Sequence, residues 1–233
     1  MLTITTTSTG LTAIIFFIIG LTLYRAWKKE MASGDLKLFS FFMIYFGFQQ
    51  FFFSIATGLL ANNPSASNWL WAIAHIFMFL GIAYFLRFAL RMKSLKMEKR
   101  IFKIVLAISA IGEGILIYNV PKLEPFLLDN LIYNWKVPPM AGATIGIFTT
   151  ISLLFCFWVF ISSFWKLEDK LLKFRSLSLG FGALIFLIGG PMHNFITTPL
   201  FNFIADVTLV GGVSLMAFGV YIPRIFKSNN TKS

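Results

Sequence analysis

The sequence predicts an all-α integral membrane protein, built as a bundle of seven transmembrane helices. The chain has 233 residues and a mean hydropathy of +0.80. Of its residues, 58% are hydrophobic and only 12% are charged, about half the charged share of a soluble domain. Its apolar residues form several runs of about 20, the length that crosses a bilayer as a helix. This composition excludes a disordered chain, and the single cysteine, Cys156, excludes a disulfide scaffold.

Seven apolar stretches define the predicted helices, and together they make one membrane domain over residues 1–233. No basic residue precedes Arg25, so the first stretch lacks the charged start of a cleaved signal peptide and is expected to remain as a span. In chain order the stretches cover roughly residues 8–27, 36–60, 68–92, 101–118, 139–165, 176–197 and 201–223.

The net charge of +11 predicts the orientation of the bundle rather than a nucleic-acid partner. All basic residues except Lys122 and Lys136 lie at the first, third and fifth connections or in the carboxyl-terminal tail. Because connections rich in Lys and Arg stay in the cytoplasm, the amino terminus is predicted outside and the carboxyl terminus in the cytoplasm. The basic residues sit next to span ends, where they attract anionic lipid headgroups, and they form no continuous nucleic-acid-binding module. The expected location is the cell membrane.

The long external connection, Tyr118–Pro139, is expected to lie on the membrane surface. Its apolar segment Glu124–Trp135 is predicted to form a short interfacial helix. Connections of this length often have a role. The segment is therefore interpreted either as a lid over an outer pocket or as a plain interfacial connector.

An internal repeat is indicated in the form of three helices, a linker helix and three helices. The segment Trp27–Glu30 resembles Trp165–Glu168, and Ile73–Ala83 resembles Ile204–Ser214. Spans one to three would then correspond to spans five to seven in the same orientation, with a symmetry axis along the membrane normal.

Four ionisable residues within the spans are the first candidates for function, because such groups are unfavourable in lipid and usually face the bundle interior. They are His75, Glu113, His193 and Asp206. With the predicted orientation, all four fall in the outer third of the membrane, and the repeat makes His75 equivalent to Asp206. They are expected to line one ligand-binding pocket.

A helix break is predicted beside this cluster. Gly189, Gly190 and Pro191 interrupt the sixth stretch, since proline removes an amide donor and clashes with the preceding turn. The freed carbonyls would need protein or water around them, which points to the same outer cavity. The amide side chains of Gln49, Gln50 and Asn194 complete the candidate ligand-binding set.

Small residues elsewhere are expected to let helices approach closely. Gly142 and Gly146 are four residues apart in the fifth stretch, and Gly211, Gly212 and Ser214 lie in the seventh. Close packing at such residues is common in membrane bundles.

Several chemistries fit the polar cluster. His75, Glu113, His193 and Asp206 could bind a transition metal, although no paired metal-binding spacing is present. His75 and His193 could ligate haem, and a metal- or carboxylate-activated water could make an intramembrane hydrolase. The remaining interpretations are hydrogen bonding within the bundle and a pocket that responds to a ligand or to protons. The cofactor stays open, and nothing in the sequence indicates a catalysed reaction.

One known family is excluded by a single feature, and a second lacks its characteristic motif. Retinal proteins need a Schiff-base lysine in the seventh span, and Phe201–Tyr221 contains none. Carriers of the SWEET and PQ-loop type share the three-one-three architecture, but their Pro-Gln pair is not here, because Phe48 precedes Gln49.

The chain resembles the seven-helix sensor module at the amino end of some microbial histidine kinases. The resemblance covers mainly residues 10–92: a span ending at Tyr24–Lys29, a Gly34-Asp35 turn, an aromatic-rich second span, and Trp69 and Trp71 opening the third. The sequence contains no kinase domain, so the resemblance implies a sensor that signals through a cytoplasmic or membrane partner protein.

The leading hypothesis is therefore a sensor or receptor-like protein that binds a small ligand or protons in an outer pocket. A small-molecule carrier and a metal or haem redox protein are the alternatives.

Overall fold

The computed structural model describes residues 3–30, 34–93, 96–128, 132–192 and 198–230. Seven long helices dominate this part of the chain, and each contains a segment long and apolar enough to cross a membrane. The prediction of a bundle with seven helices long and apolar enough to cross a membrane is thereby confirmed. The helices are α1 (Ile4–Glu30), α2 (Gly34–Gly58), α3 (Pro64–Met92), α4 (Glu98–Asn119), α5 (Pro139–Phe164), α6 (Lys170–Met192) and α7 (Pro199–Asn230).

Local capping explains where α3 and α6 begin. The side chain of Asn63 accepts a hydrogen bond from the Ala66 amide at 3.2 Å, and Pro64 occupies the first turn, where its lack of an N–H has no consequence. The helix α3 therefore begins before the apolar stretch that predicted it. Asp169 caps α6 in the same way, accepting from the Leu172 amide at 2.8 Å.

The connection between α4 and α5 is a β-hairpin, so the predicted interfacial helix over residues 124–135 is wrong. A 3₁₀ turn, Val120–Lys122, leads into strand β1 (Glu124–Leu128), which pairs antiparallel with strand β2 (Ile132–Lys136). Strand β2 is rich in β-branched and aromatic residues, which favour extended backbone. It also buries Ile132, Tyr133 and Trp135 against the helices, which an interfacial helix would have left at the lipid surface.

The helices pack in two consecutive groups. In one group α1 packs on α2 and α2 on α3; in the other α5 packs on α6 and α6 on α7. Contacts of α3 with α5 and of α1 with α7 join the groups, and α4 lies on α3 and α5. This order has the form that the three-one-three repeat requires, and the repeat itself stays a prediction.

The bundle has two chemically different ends. At the basic end, Arg91 pairs with Asp35 at 3.0 Å and Arg87 pairs with Glu98 at 3.2 Å. The opposite end, called the hairpin end below, carries the β-hairpin and the first turn of α3. The positive-inside rule predicts that the hairpin end faces outward.

Aromatic rings fill the half of the bundle nearer the basic end. Phe42 stacks on Phe85 with ring centroids 4.6 Å apart, and Phe88 lies 5.9 Å from Phe160. All of these side chains are fully buried. Because they come from α2, α3 and α5, they hold the two helix groups together. We call Phe39, Phe42, Phe85, Phe88 and Phe160 the phenylalanine core.

Glycines bring α6 and α7 into backbone contact. A Cβ atom on Gly212 would lie 2.7 Å from the Phe186 nitrogen and 2.8 Å from the Gly182 oxygen, and one on Gly189 would lie 2.9 Å from the Leu209 nitrogen. The close approach predicted at Gly212 is therefore present.

The glycines also change the interpretation of the predicted break. Helix α6 is continuous through Gly189, Gly190 and Pro191, where the break was predicted, and it ends at Met192. Gly189 serves helix packing, since only a residue without a side chain fits against the Leu209 backbone. The chain from residue 193 to residue 197 lies outside the described residues.

Candidate functional site

A cavity of about 180 Å³ lies in the half of the bundle nearer the hairpin end. Strand β2 covers it, and every helix except α4 contributes to the described lining. Its polar lining residues are Thr5 and Thr9 of α1, Gln49, Gln50 and Thr57 of α2, His75 of α3, Tyr133 and Asn134 of β2, and Thr149 of α5.

Buried hydrogen bonds tie β2 to the first turn of α3. The Trp135 ring donates from Nε1 to the Asn68 side-chain oxygen at 3.1 Å, and the Asn68 amide donates to the Leu123 carbonyl at 3.0 Å. The Asn68 side chain thus holds both the residue that leads into the hairpin and strand β2. The Tyr133 hydroxyl donates to Ser67 at 3.1 Å, one residue earlier on the same helix turn.

A further contact joins the hairpin to α1. The Tyr133 backbone amide donates to the Thr5 hydroxyl at 3.1 Å. Strand β2, which forms the roof of the cavity, is therefore anchored on α1 and α3, and both helices are far from it in sequence.

His75 lies in the cavity wall, and its hydrogen bond defines which ring nitrogen carries a hydrogen. Its Nδ1 lies 2.8 Å from the Trp71 carbonyl oxygen, and a carbonyl can only accept, so Nδ1 carries a hydrogen. Its ring packs on Trp71 with centroids 4.0 Å apart and meets Phe53 edge-on at 5.5 Å. Within the described residues Nε2 makes no hydrogen bond, so it is the nitrogen left for a molecule in the cavity.

Two lining residues have buried oxygens without partners in the described part of the chain. They are Gln49 Oε1 on α2 and Thr149 Oγ1 on α5. Both side chains line the cavity. An unpaired buried polar group costs about 1–3 kcal/mol, so in a native protein such a group calls for a partner such as a bound molecule, an ion or an ordered water. Gln49 Oε1 is suited to accept a hydrogen bond from a bound molecule, and the Thr149 hydroxyl can accept or donate one.

Gly142 and Gly146 make room in the cavity rather than contact another helix. A Cβ atom on Gly146 would meet nothing within 4 Å, and one on Gly142 would meet only a Val137 methyl at 3.9 Å. Both residues line the cavity. The prediction that this pair packs against a neighbouring helix is therefore wrong, because the space that the glycines leave is not taken up by another backbone.

A more open depression adjoins the cavity at the hairpin. It is lined by both strands and shares Trp135 and Val137 with the cavity. Glu124 and Lys136 pair at its edge at 3.3 Å, with both side chains largely exposed. The depression offers an approach from the hairpin end.

The structure separates the predicted site residues. Of the four ionisable candidates, His75 lines the cavity, as do Gln49, Gln50 and Gly190, whereas Glu113 and Asp206 are not among the described lining residues. Glu113 is buried in α4, and its carboxylate oxygens have no hydrogen-bond partner within the described residues. Asp206 is buried on α7. His193 and Asn194 lie outside the described residues.

The metal and haem interpretations gain nothing from this arrangement. In the described ranges, no three His, Cys, Asp or Glu side chains form a group that could hold a metal ion. The cavity volume of about 180 Å³ suits one or two rings, whereas a haem macrocycle is considerably larger.

Sequence reasoning missed the aromatic part of the wall. Trp71, Tyr133 and Trp135 line the cavity, together with Phe46 and Phe53. A signal for Trp71 was present, because it precedes His75 by four residues and so lies on the same helix face. No comparable signal pointed to β2, whose secondary structure was predicted incorrectly.

Comparisons with known proteins assign no family to the chain. Neither a scan against protein-family models nor a search of curated proteins gives a match. The resemblance to sensor modules of histidine kinases therefore stays a prediction, and the function has to be argued from the cavity.

Proposed function

We propose that this multi-pass membrane protein is a receptor-like protein that binds a small ligand in the cavity under the hairpin. The observation that carries the proposal is the pair of buried, unpartnered oxygens, Gln49 Oε1 and Thr149 Oγ1, in the lining of that cavity. A chain selected for stability alone would pair these groups or replace them with apolar ones. A ligand that donates hydrogen bonds compensates for them.

Helices α6 and α7 provide a route from the cavity to the basic end. Gly190 and Leu209 line the cavity, and the same helices are locked together further along by the contact of Gly212 with Gly182. A ligand that prefers one position of this helix pair shifts its equilibrium toward that position. A partner protein at the basic end would read the shift near the start of α6.

The carrier alternative is less well supported. Between the cavity and the basic end lies the phenylalanine core, whose side chains are fully buried and in contact. A molecule crossing the bundle would have to separate these rings. Binding at the hairpin end requires no such rearrangement.

The test is a ligand screen on a matched set of variants. Gly146→Leu fills the cavity, whereas Gly114→Leu adds the same side chain at an exposed glycine of α4 where a Cβ atom also meets nothing within 4 Å. Both changes replace a helical glycine, so their effects on helix propensity cancel in the comparison. The measurement is the thermal unfolding temperature in lipid nanodiscs, with a library of small neutral, anionic and cationic compounds.

A ligand at 100 times its Kd stabilises a protein by about 2.7 kcal/mol. We expect at least one compound to raise the unfolding temperature of the wild type and of Gly114→Leu but not of Gly146→Leu. A library in which every compound acts equally on all three proteins would contradict the binding role. Net uptake of a binding compound into proteoliposomes would favour the carrier.

A further inference from the structure

The cavity itself indicates the chemical class of its ligand. Among the described lining residues there is no Asp, Glu, Lys or Arg. An ionised ligand would lose its hydration and find no opposite charge there, which is strongly unfavourable in a low-dielectric interior. The lining therefore favours an uncharged molecule.

The walls favour a flat aromatic molecule. The His75 ring packs on Trp71 and meets Phe53, and Phe53 lies 6.0 Å from Trp135, so the rings form one continuous aromatic wall. Such a wall holds another ring by offset stacking or edge-to-face contact. Phe46 and Phe186 extend the apolar lining toward the phenylalanine core.

The polar groups favour a ligand with a hydrogen-bond donor. Several lining residues already use their hydrogens within the protein: Thr9 donates to the Thr5 carbonyl at 2.7 Å and Thr57 to the Phe53 carbonyl at 2.9 Å. His75 Nδ1 and the Tyr133 hydroxyl are engaged in the same way. What these residues leave to a ligand is mainly lone pairs.

Two unpartnered oxygens add to these lone pairs. The size of the cavity limits the size of the ligand. Gln49 Oε1 and Thr149 Oγ1 come from α2 and α5, so a ligand edge can reach acceptors on two helices. A dry cavity of roughly 150 Å³ holds benzene. The volume of about 180 Å³ here therefore suits one ring or a small fused pair.

From these observations we infer that the cavity binds a neutral, flat heteroaromatic molecule of indole size, with its N–H or O–H edge toward Gln49 and Thr149. This inference rests on the proposed binding function and specifies its ligand class. The ring lies against the wall formed by Trp71, His75 and Phe53.

Radiolabelled indole is the probe, measured by equilibrium dialysis against the protein in lipid nanodiscs. We expect a saturable component of one indole per chain in the wild type and in Gly114→Leu, absent from Gly146→Leu. Indole that partitions into the lipid appears equally in all samples and is subtracted. As a competitor, 1-methylindole keeps the ring system but carries a methyl group in place of the N–H hydrogen, and it should bind roughly tenfold more weakly.

Gln49→Leu separates a binding role from a structural one. Removing the unpartnered oxygen should raise the unfolding temperature of the ligand-free protein, because an unpaired buried group disappears. The same change should weaken indole binding roughly three- to tenfold, since the donor loses an acceptor. A purely structural role for Gln49 does not produce these opposite effects.

The outcomes are distinguishable from failure of the proposed function. Equal affinity for 1-methylindole and indole would overturn the donor assignment, and stronger binding of benzoate or benzylamine would overturn the neutral class. If indole does not bind saturably while another compound stabilises the wild type but not Gly146→Leu, the ligand class is wrong and the binding function stands. If no compound distinguishes Gly146→Leu from the wild type, both are wrong.

Discussion

Asn68 makes the contacts that hold the hairpin over the cavity, and its replacement by leucine has an effect that follows from the structure. Asn68→Leu keeps the approximate shape and removes every side-chain hydrogen bond at this position. Asn68 also donates to the Val120 carbonyl at 3.4 Å, but that carbonyl keeps its bond from the Leu123 amide at 3.2 Å. The Leu123 carbonyl and the Trp135 ring nitrogen lose the partners that Asn68 supplied. Two buried groups at about 1–3 kcal/mol each, partly relieved by water near the membrane surface, give a destabilisation of about 3 kcal/mol.

The assay is reversible unfolding in mixed micelles by titration with sodium dodecyl sulfate, followed by circular dichroism. Asn62→Leu is the matched control, because Asn62 is exposed in the turn between α2 and α3 and its replacement should change the unfolding free energy by less than about 0.5 kcal/mol. Hydrogen exchange measured by mass spectrometry should also accelerate in the hairpin of Asn68→Leu and stay unchanged in Asn62→Leu.

If Asn68→Leu changed the unfolding free energy no more than Asn62→Leu does, the Asn68 hydrogen bonds would not stabilise the protein. A second contrary result would be a loss of stability while hydrogen exchange in residues 123–136 stayed as in the wild type. In that case the loss would come from α3 itself, and the hydrogen bonds to the hairpin would not hold the roof.

Further predictions concern helix packing and orientation. Gly212→Ala should lower the unfolding free energy by about 2 kcal/mol in the same titration, because the new Cβ atom meets backbone. In the control Gly211→Ala, the Cβ atom meets nothing within 4 Å, and the unfolding free energy should change by less than about 1 kcal/mol. Equal effects of the two changes would contradict close packing at Gly212. Lys122→Cys should react with an impermeant maleimide in intact cells and Lys96→Cys only after permeabilisation, and the reverse pattern would overturn the predicted orientation. Wild-type protein should not react in either condition, because Cys156 is fully buried; labelling of the wild type would show that α5 is less tightly packed than described.

The helices were predictable from the sequence because the bilayer imposes a length and a polarity on each. Predicted spans 68–92 and 139–165 correspond to α3 (Pro64–Met92) and α5 (Pro139–Phe164). The helix ends moved where short-range hydrogen bonds decide them, as at Asn63. Hydropathy contains no information about such caps.

The hairpin was not predicted because its pattern is weak. The apolar residues in Glu124–Trp135 suit either a surface helix or a strand. The sheet pairs Pro125 with Trp135, and these two residues are ten positions apart in the sequence. A turn signal was present, since Asp129 and Asn130 separate two apolar runs. Burial of Tyr133 and Trp135 against distant helices decided the outcome, and such tertiary contacts cannot be derived from a local pattern.

The sequence predicted how far along its helix each candidate residue lies, but not which way its side chain faces. Gln49, Gln50 and His75 line the cavity, whereas Glu113 and Asp206, at a similar predicted depth, are not among the described lining residues. A sequence position fixes how far a residue lies along a helix. Which way its side chain faces depends on how the helices pack around one another, and an apolar membrane helix has almost no polar face to indicate this.

The cavity lining has a consequence for biosynthesis. Thr5 in the first helix and Leu209 in the last line the same cavity. Because ribosomes add only about 5–20 residues per second, there is an interval between synthesis of the first helix and synthesis of the last. During that interval the polar side chains of Gln49 and Gln50 are already in the membrane, while the helices that later enclose them are still being made. A nascent chain interrupted before α5 would present these amides to lipid, so truncated products should be targets for membrane quality control. Under the proposed function, a ligand that occupies the finished cavity would raise the yield of mature protein.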